Sequence, residues 1–222
     1  MTKQGFAGFT DSDFAIFELP TFDERMAALK SEITPKLKEL GAELASAVSE
    51  AAGGALYPHV ALHLRRSVNP PEETWVAFAR DRRGYKPYMH FRVAINGSGV
   101  KVACYTEEYS EDKLLLAAGM ARCATPLAAY LARHPRIRSH DAEANYGKLL
   151  DGRTLKKKDI AELAARMQRV KSQHSNFAIR YPSTELVLRS ASLVDEALAA
   201  IRELTPLYHL GVDPKYRIPA EG

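Results

Sequence analysis

Apolar and polar residues alternate along four successive segments between Tyr57 and Glu107. The segments read YPHVALHLRR, TWVAFAR, YMHFRVAIN and GVKVACYTE. A period of two is that of a β-strand with one buried face, so the pattern predicts four strands. The apolar parity, which we expect to be buried, consists of Val60, Leu62, Leu64, Val76, Phe78, Met89, Phe91, Val93, Ile95, Val100, Val102 and Cys104.

The connections between these segments contain residues that commonly reverse a chain. Short connections join antiparallel neighbours, because a parallel pair needs a long crossover. The Asn-Gly step before the fourth segment is the clearest hairpin signal. We therefore predict a four-stranded antiparallel meander. Its connections contain Asn69-Pro70-Pro71, Arg82-Arg83-Gly84 and Asn96-Gly97-Ser98-Gly99.

The N-terminal arm, residues 11–52, has a helical period. Thr21 and Glu24 have the spacing of a capping box, which places the start of a helix at about residue 22. Thr34 followed by Pro35 is typical of a cap and a first-turn proline. Apolar residues then recur at helical intervals as far as the Gly53-Gly54 step. The arm is predicted to be two helices or one kinked helix.

The C-terminal half, residues 110–210, is predicted to mix helices with one strand. Pro126 should kink or split the first of these helices. Ser192 should cap the last helix, which is expected to stop before Pro206. Residues 134–155 show no regular pattern. The predicted elements are a helix over 110–133, a helix over 155–171, a strand over 176–181 and a helix over 192–204.

Together these elements predict an α+β fold in which helices pack on the apolar face of a mainly antiparallel sheet. A chain of 222 residues can bury one substantial core, and no repeat or linker divides it, so residues 1–222 are expected to form one domain. No apolar run approaches the ~20 residues of a membrane span and the N-terminus lacks a signal peptide, which predicts a cytoplasmic protein without a membrane partner. Cys104 and Cys123 lie outside any metal-binding spacing and are expected to be buried thiols.

Basic residues are bunched along the chain, although the formal net charge is only +4. The sequence pI is about 9.0. Bunched cations raise the local potential and attract phosphates, so an RNA- or DNA-binding module is one hypothesis. Ordinary solvated surface is the other interpretation. The basic clusters are Arg80, Arg82, Arg83 and Lys86; Arg133, Arg136 and Arg138; Lys156, Lys157 and Lys158; Arg166, Arg169 and Lys171.

The polar parity of the four strands concentrates groups suited to ligand binding. Basic and aromatic residues alternate there with alanines, which would leave a low floor between taller side chains. Lysine and glutamate would serve a plain solvated face better than histidine and tryptophan. A competing interpretation is that a second layer of helix packs closely on the alanines. The polar parity carries His59, His63, Arg65, Trp75, His90, Arg92, Lys101, Tyr105 and Glu107.

The spacing of His59 and His63 does not favour a metal site. On a strand, four residues span about 13 Å, which is too far for two ligands of one zinc ion. The same spacing on a helix would suit zinc, but the alternation around these residues indicates a strand. We therefore predict no metal.

Arginine chemistry offers a better supported hypothesis, a site for a small molecule that carries a phosphate or carboxylate and resembles a nucleotide. Motifs of P-loop, dinucleotide-binding, zinc-protease and serine-hydrolase proteins are absent, so the reaction and the cofactor, if any, stay unassigned. A surface that docks a protein partner is a further alternative. The predicted roles are anion contacts from Arg65, Lys86 and Arg92, stacking by Trp75 or Tyr105, and polar contact or proton transfer by His63 or His90, with His59 at the same face.

Several long strings in the first half of the chain resemble one bacterial family. They are SDFAIF, ERMAALKSEITPKL, HVALHLRRSVNPPEETWVAF and RRGYKPYMHFRVAI. These strings closely resemble the YktB-like family, which is catalogued as domain of unknown function 1054. The resemblance implies a topology near that of biotin ligases and class II aminoacyl-tRNA synthetases, and it implies no established activity. Leu62 and Leu64 depart from the family pattern, where lysine and alanine are more usual, which argues against Leu62 as a shared ligand contact.

Overall fold

Strands from both halves of the chain form one antiparallel sheet in the computed structural model, which describes residues 5–64, 66–141, 149–150, 152–173 and 175–219. The order across the sheet is β1-β2-β3-β4-β7-β5-β6. The strands are β1 (Tyr57–Val60), β2 (Glu73–Ala79), β3 (His90–Asn96), β4 (Gly99–Tyr105), β5 (Ser139–Asp141), β6 (Leu149–Leu150) and β7 (Asn176–Pro182).

The predicted meander is confirmed, because β1 to β4 are successive antiparallel neighbours. The predicted strand at 176–181 is also confirmed and continues the sheet beside β4. Val76, Val93 and Val102 lie opposite one another on three adjacent strands and are fully buried. The next register position places Ala77 and Ala103 on either side of Arg92. The two parities therefore face opposite sides of the sheet, as the alternation predicts.

Helices cover the apolar face, which confirms the predicted α+β class. Gly41 of α3 lies so close to the sheet that an added Cβ would stand 2.9 Å from Val76 Cγ2. Tyr208 of α7 stacks on Phe91 with ring centroids 4.8 Å apart. The helices are α1 (Asp11–Ala15), α2 (Phe22–Ala28), α3 (Thr34–Ala51), α4 (Lys113–Arg122), α5 (Ala124–Arg133), α6 (Lys157–Arg169) and α7 (Ser192–Val212).

The N-terminal arm follows the prediction at its start and departs from it at Pro35. The Glu24 amide donates to the Thr21 hydroxyl at 3.3 Å, so Thr21 caps α2 and the predicted start at residue 22 is confirmed, although the Glu24 carboxylate accepts from the Thr21 hydroxyl and not from its amide as in a full capping box. Thr34 has helical backbone angles and is no cap, which makes that prediction wrong. A π-helical turn over Leu29–Ile33 joins α2 to α3 and accommodates the proline, which lacks an N–H.

Two further prolines act differently from the prediction. The helix predicted over 110–133 does split, but the break is at Cys123, where α4 and α5 are bent by 88°. Pro126 lies in the first turn of α5, where an amide would have no partner within the helix. The predicted stop before Pro206 is wrong, because α7 continues to Val212. The buried residues of its last turns, such as Leu207 and Leu210, offset one missing hydrogen bond.

Strand β1 is an edge strand that ends earlier than predicted. The Ala61 amide still donates to the Trp75 carbonyl at 2.9 Å, and the chain then leaves the sheet. Leu62 and Leu64 are 56% and 85% exposed, so their predicted burial is wrong. Along an antiparallel strand, every second residue points its backbone N–H and C=O toward the neighbouring strand. Ala61 is such a residue, so Pro58, three positions earlier, has its nitrogen facing away from β2.

No helix in the described ranges is, by itself, long and apolar enough to span a membrane, although the bent pair α4 and α5 reaches that length and composition together.

Candidate functional site

A cavity of about 870 Å³ opens on the polar side of the sheet. Its walls come from β2, β3 and β4, from the loop after β1 and from the loop between β2 and β3. We call it the sheet pocket. It is lined by Val60, Ala61, Leu62, His63, Leu64, Arg66, Glu72, Glu73, Trp75, Arg83, Tyr85, Lys86, Arg92, Asn96, Tyr105, Glu107 and Tyr109.

The Arg92 guanidinium lies over two aromatic rings at the inner wall of the pocket. Trp75 lies opposite Ala94 and Tyr105 lies opposite His90, so both rings are diagonal neighbours of Arg92. The guanidinium carbon is 4.1 Å from the Trp75 ring centroid and 3.8 Å from that of Tyr105. These are cation–π distances, and a guanidinium suits such stacking better than an ammonium does.

The same guanidinium is balanced by two carboxylates. Its Nη2 donates to Glu107 Oε1 at 3.0 Å, and its Nη1 is 3.9 Å from Glu73 Oε1. Lys101 Nζ lies 2.9 Å from Glu73 Oε2. These four residues form what we call the charge network, in which two buried cations meet two partly buried carboxylates. The charge inside the pocket is therefore largely compensated.

The alanines of the polar parity make room for Arg92 more than for a ligand. Ala77 and Ala103 flank Arg92 directly in the sheet and are fully buried. Of the predicted alanine floor, Ala61 is the residue that lines the sheet pocket. The space above these alanines is thus filled by side chains of the protein itself.

His90 orients Arg92 from beneath the pocket wall. Its Nδ1 is 2.8 Å from the Tyr88 carbonyl, and its Nε2 is 3.2 Å from Arg92 Nη2. The Tyr88 carbonyl can only accept a hydrogen bond and the Arg92 guanidinium can only donate one. Nδ1 of His90 therefore carries the proton, and Nε2 accepts. Burial, followed by the charge of Arg92, holds the His90 pKa well below its usual value. His90 is neutral at physiological pH and is not among the lining residues.

His63 lies at the pocket wall in a left-handed backbone conformation, with φ of 50°. Its ring stands edge-on to Trp75, with ring centroids 5.3 Å apart. Burial, then the nearby charges of Arg66 and Lys86, lower the His63 pKa to about 4. Nε2 is buried and has no hydrogen-bond partner among the described residues. His63 therefore presents a neutral imidazole whose ring nitrogen is unsatisfied.

The lowered pKa of His63 predicts a loss of stability in mild acid. Between the ordinary pKa of 6.5 and the folded value of about 4, the unfolded chain binds more protons than the folded one, so stability falls as pH falls through this range. One pKa unit corresponds to about 1.4 kcal/mol, and partial solvation of the ring reduces the effect to about 1–2 kcal/mol in all.

His63→Asn tests this origin, because asparagine tolerates a left-handed conformation and does not titrate. Urea unfolding measured from pH 7 to pH 4 should give a shallower decline in the free energy of unfolding for the variant. The same slope in both proteins would assign the acid sensitivity to other groups, of which buried His90 is the first to test.

The structure brings together five of the eight residues proposed from the sequence as ligand-binding. His59 does not line the sheet pocket, and its Nε2 lies 2.9 Å from the Asp81 carbonyl. His90 is buried below the wall, and Arg65 lies outside the described residues. The five that line the pocket are His63, Trp75, Lys86, Arg92 and Tyr105.

Sequence reasoning missed three kinds of lining residue. Arg66 follows β1, which is shorter than the sequence predicts. Tyr85 lies in the loop between β2 and β3, and no local sequence pattern predicts the path of that loop. Glu73 begins β2 on the polar parity, which is a signal that could have been used. The remaining polar or aromatic residues that were not anticipated are Glu72, Asn96 and Tyr109.

Part of the bunched positive charge is engaged in structural contacts. Arg80 makes two hydrogen bonds to the Asp112 carboxylate, at 2.6 and 2.9 Å. Arg136 pairs with Glu196, and its Nε is 3.7 Å from Glu203 Oε2. Elsewhere the clusters retain exposed cations such as Lys156, Lys157 and Lys158.

Within the described ranges, no group of three or more histidine, cysteine or acidic side chains is arranged to hold a metal ion. Cys104 and Cys123 are free, buried thiols, as predicted.

Comparison with known proteins gives a family and several relatives. The family model described as Domain of unknown function (DUF1054) matches residues 9–208. A UPF0637 protein of Listeria innocua is 46% identical over 90 residues, which are 40% of this chain and 44% of that protein. UPF0637 proteins of Oceanobacillus iheyensis and Shouchella clausii are 46% and 47% identical over 88 residues, 40% of this chain and 43% and 42% of those proteins. The matched stretch thus spans less than half the length of these relatives.

Proposed function

This chain belongs to the family described as a domain of unknown function (DUF1054), and we propose that the sheet pocket gives it the ability to bind a small molecule carrying a phosphate or carboxylate. The observation that carries the proposal is the meeting of two cations at the pocket. Arg66 and Lys86 come from different loops, and both lower the pKa of His63. Neither makes an ion pair in the part of the chain that the structure describes.

The charge network assigns the anionic group to the outer part of the pocket. Arg92 already contacts Glu73 and Glu107, so an anion beside it would compete with two carboxylates. Arg66 and Lys86 are exposed and have no such competition among the described residues. Direct anion contact by Arg92, which the sequence favoured, would require one of the glutamates to move away. We therefore assign Arg92 the role of holding Trp75 and Tyr105 in place.

The inner part of the pocket supports a ligand with a planar polar head. Ligand sites commonly enclose about 300–1,000 Å³, so the cavity of about 870 Å³ is large enough for a nucleotide-like molecule. Partly exposed Tyr85 offers aromatic surface, and His63 Nε2 is a hydrogen-bonding position that the described residues leave unsatisfied. For a reaction at this site, neutral His63 would be the proton acceptor.

Binding should depend on the anionic group and on the two cations. Binding is measured by thermal shift and by quenching of the fluorescence of Trp75, the sole tryptophan of the chain. The compounds are adenosine monophosphate, adenosine, acetyl phosphate and inorganic phosphate. Phosphate-bearing compounds should stabilise the protein and adenosine should not. Arg66→Ala and Lys86→Ala should each raise Kd about tenfold, since each removes one charge-assisted contact.

Matched controls are Arg202→Ala and Lys38→Ala, which remove exposed cations from α7 and α3, away from the pocket. Their Kd should equal that of the wild type. Stabilisation by none of the four compounds, or equal losses in pocket and control variants, would count against the proposal.

The nucleic-acid alternative remains a prediction with its own test. Arg80 and Arg136, two of the expected phosphate contacts, already pair with carboxylates, which weakens it. Retention of single-stranded RNA on filters at low salt, lost steeply as salt rises, would favour it over a small-molecule site.

A further inference from the structure

Exposed apolar side chains gather around the mouth of the sheet pocket. Leu62, Leu64 and Tyr109 line the pocket and are 56%, 85% and 54% exposed, and Val68, in the loop that follows β1, is 75% exposed. A single exposed leucine is ordinary, but a cluster of this kind marks an interaction surface. The large apolar side chains exposed elsewhere in the described ranges are Leu114, Val170 and Leu186.

The same mouth is rich in exposed cations. Arg66 stands between Leu64 and Val68 in the sequence, and Arg83 and Lys86 approach from the loop between β2 and β3. Arg83 has a carboxylate partner, Asp81, at 3.4 Å. Of the described lining residues, Glu72 is the acidic one that is exposed. The surface therefore combines protruding leucines with a local excess of positive charge.

We propose that this surface docks on an anionic membrane, which departs from the expectation of no membrane partner because that expectation considered only spanning segments. Leu62, Leu64 and Val68 enter the interface between headgroups and acyl chains, while Arg66 and Lys86 contact lipid phosphates. Apolar side chains backed by cations are what interfacial binding requires, because neither hydrophobic insertion nor charge alone holds a protein firmly at a bilayer surface. The docking surface shares Arg66 and Lys86 with the anion site of the proposed function, and the exposed leucines at the mouth are what it adds to that site.

The surface fits a membrane better than a second copy of the chain. Two copies meeting through this face in a symmetric pair would bring together two patches with the same excess of positive charge, which repel. The leucines also stand out from a loop, with Leu64 85% exposed, which suits insertion between lipid headgroups.

Vesicle sedimentation tests the proposal with the whole chain. Vesicles of phosphatidylglycerol and phosphatidylcholine in equal parts should bind the protein, and vesicles of phosphatidylcholine alone should bind it more weakly. The double variant Leu62→Ser with Leu64→Ser should lower the partition coefficient at least about tenfold, because two side chains no longer enter the apolar region. The exposed positions make this variant compatible with folding, which circular dichroism checks.

The matched control is Leu114→Ser with Leu186→Ser, two leucines that are 60% and 83% exposed and do not line the pocket. It should bind like the wild type. No sedimentation with the anionic vesicles overturns the proposal. Binding that is equal in the wild type and the Leu62/Leu64 variant also overturns it, since attraction to charge alone would then suffice. Ligand binding measured by Trp75 fluorescence is a separate readout, so failure of either proposal is distinguishable from failure of the other.

Discussion

Arg92→Ala should lower the free energy of unfolding by about 3 kcal/mol, because it leaves Glu107 without its cation and Glu73 with Lys101 alone. Removing one partner of a buried ion pair costs about 3–5 kcal/mol, and the partial exposure of both glutamates places this case at the lower end. The substitution also opens a gap between Trp75 and Tyr105, whose rings now contact the guanidinium. We expect ligand binding in the sheet pocket to be lost with it.

Arg92→Lys separates charge from shape. Lysine keeps the positive charge but cannot donate in a planar fork or stack in the same way on two rings, so an intermediate loss of about 1–2 kcal/mol is expected. Urea unfolding followed by circular dichroism measures both variants. Arg83→Ala, which removes a largely exposed guanidinium of the same pocket, should leave the midpoint close to that of the wild type. An Arg92→Ala midpoint as close to wild type would show that the charge network contributes nothing to stability.

Asp112→Ala should cost about 3 kcal/mol and disturb the pocket from a distance. The buried Asp112 carboxylate accepts two hydrogen bonds from Arg80 and one, at 2.7 Å, from the Met89 amide. Alanine would leave that buried amide unsatisfied, and a lost buried hydrogen-bond network is among the costliest single changes. Arg80 and Met89 bracket the loop that carries Tyr85 and Lys86, so the loop should become less ordered and ligand affinity should fall.

Asp112→Asn keeps the size of the side chain and one acceptor oxygen, but it removes the charge that Arg80 contacts. We expect about half the destabilisation of Asp112→Ala. Asp81→Ala is the loop control, because Asp81 is bonded mainly to its exposed neighbour Arg83. If Asp112→Ala and Asp81→Ala shift the urea midpoint equally, the tie between this loop and α4 is not what positions the pocket wall.

The sequence predicts the sheet well because alternation is enforced wherever a strand has neighbours. Val76, Val93 and Val102 must all point to the core, and a slip of one residue would expose them. Leu62 and Leu64 continue the same alternation but lie beyond the reach of pairing. β2 continues beyond Trp75 to Glu73, but the first strand does not follow it, because its last bond goes to Trp75 and the backbone turns into a left-handed conformation at His63. Parity alone cannot report where an edge strand ends.

The predicted end of the last helix is wrong for a related reason. Pro206 weakens a helix locally, but the burial of Leu207, Tyr208 and Leu210 against the rest of the protein outweighs the missing bond. Burial of that kind depends on tertiary contacts, which a local stop signal does not include.

The sequence predicts which residues share the polar face, but it does not predict their ion pairs or pKa values. Polar parity correctly brings Trp75, Arg92 and Tyr105 to one face. It does not show that Arg92 is balanced by Glu73, at the start of one strand, and by Glu107, beyond the end of another. The lowered pKa of His63 likewise depends on burial and on cations from two loops, and such long-range contacts leave no local pattern.

Pro58 protects the edge of the sheet against pairing with strands of other molecules. Its nitrogen faces outward from β1, where any other residue would present a free donor to a strand from another chain. A proline there offers no N–H, and the departure of the chain after Ala61 keeps the exposed edge short. The protein can therefore expose apolar loops beside this edge without inviting sheet-to-sheet aggregation.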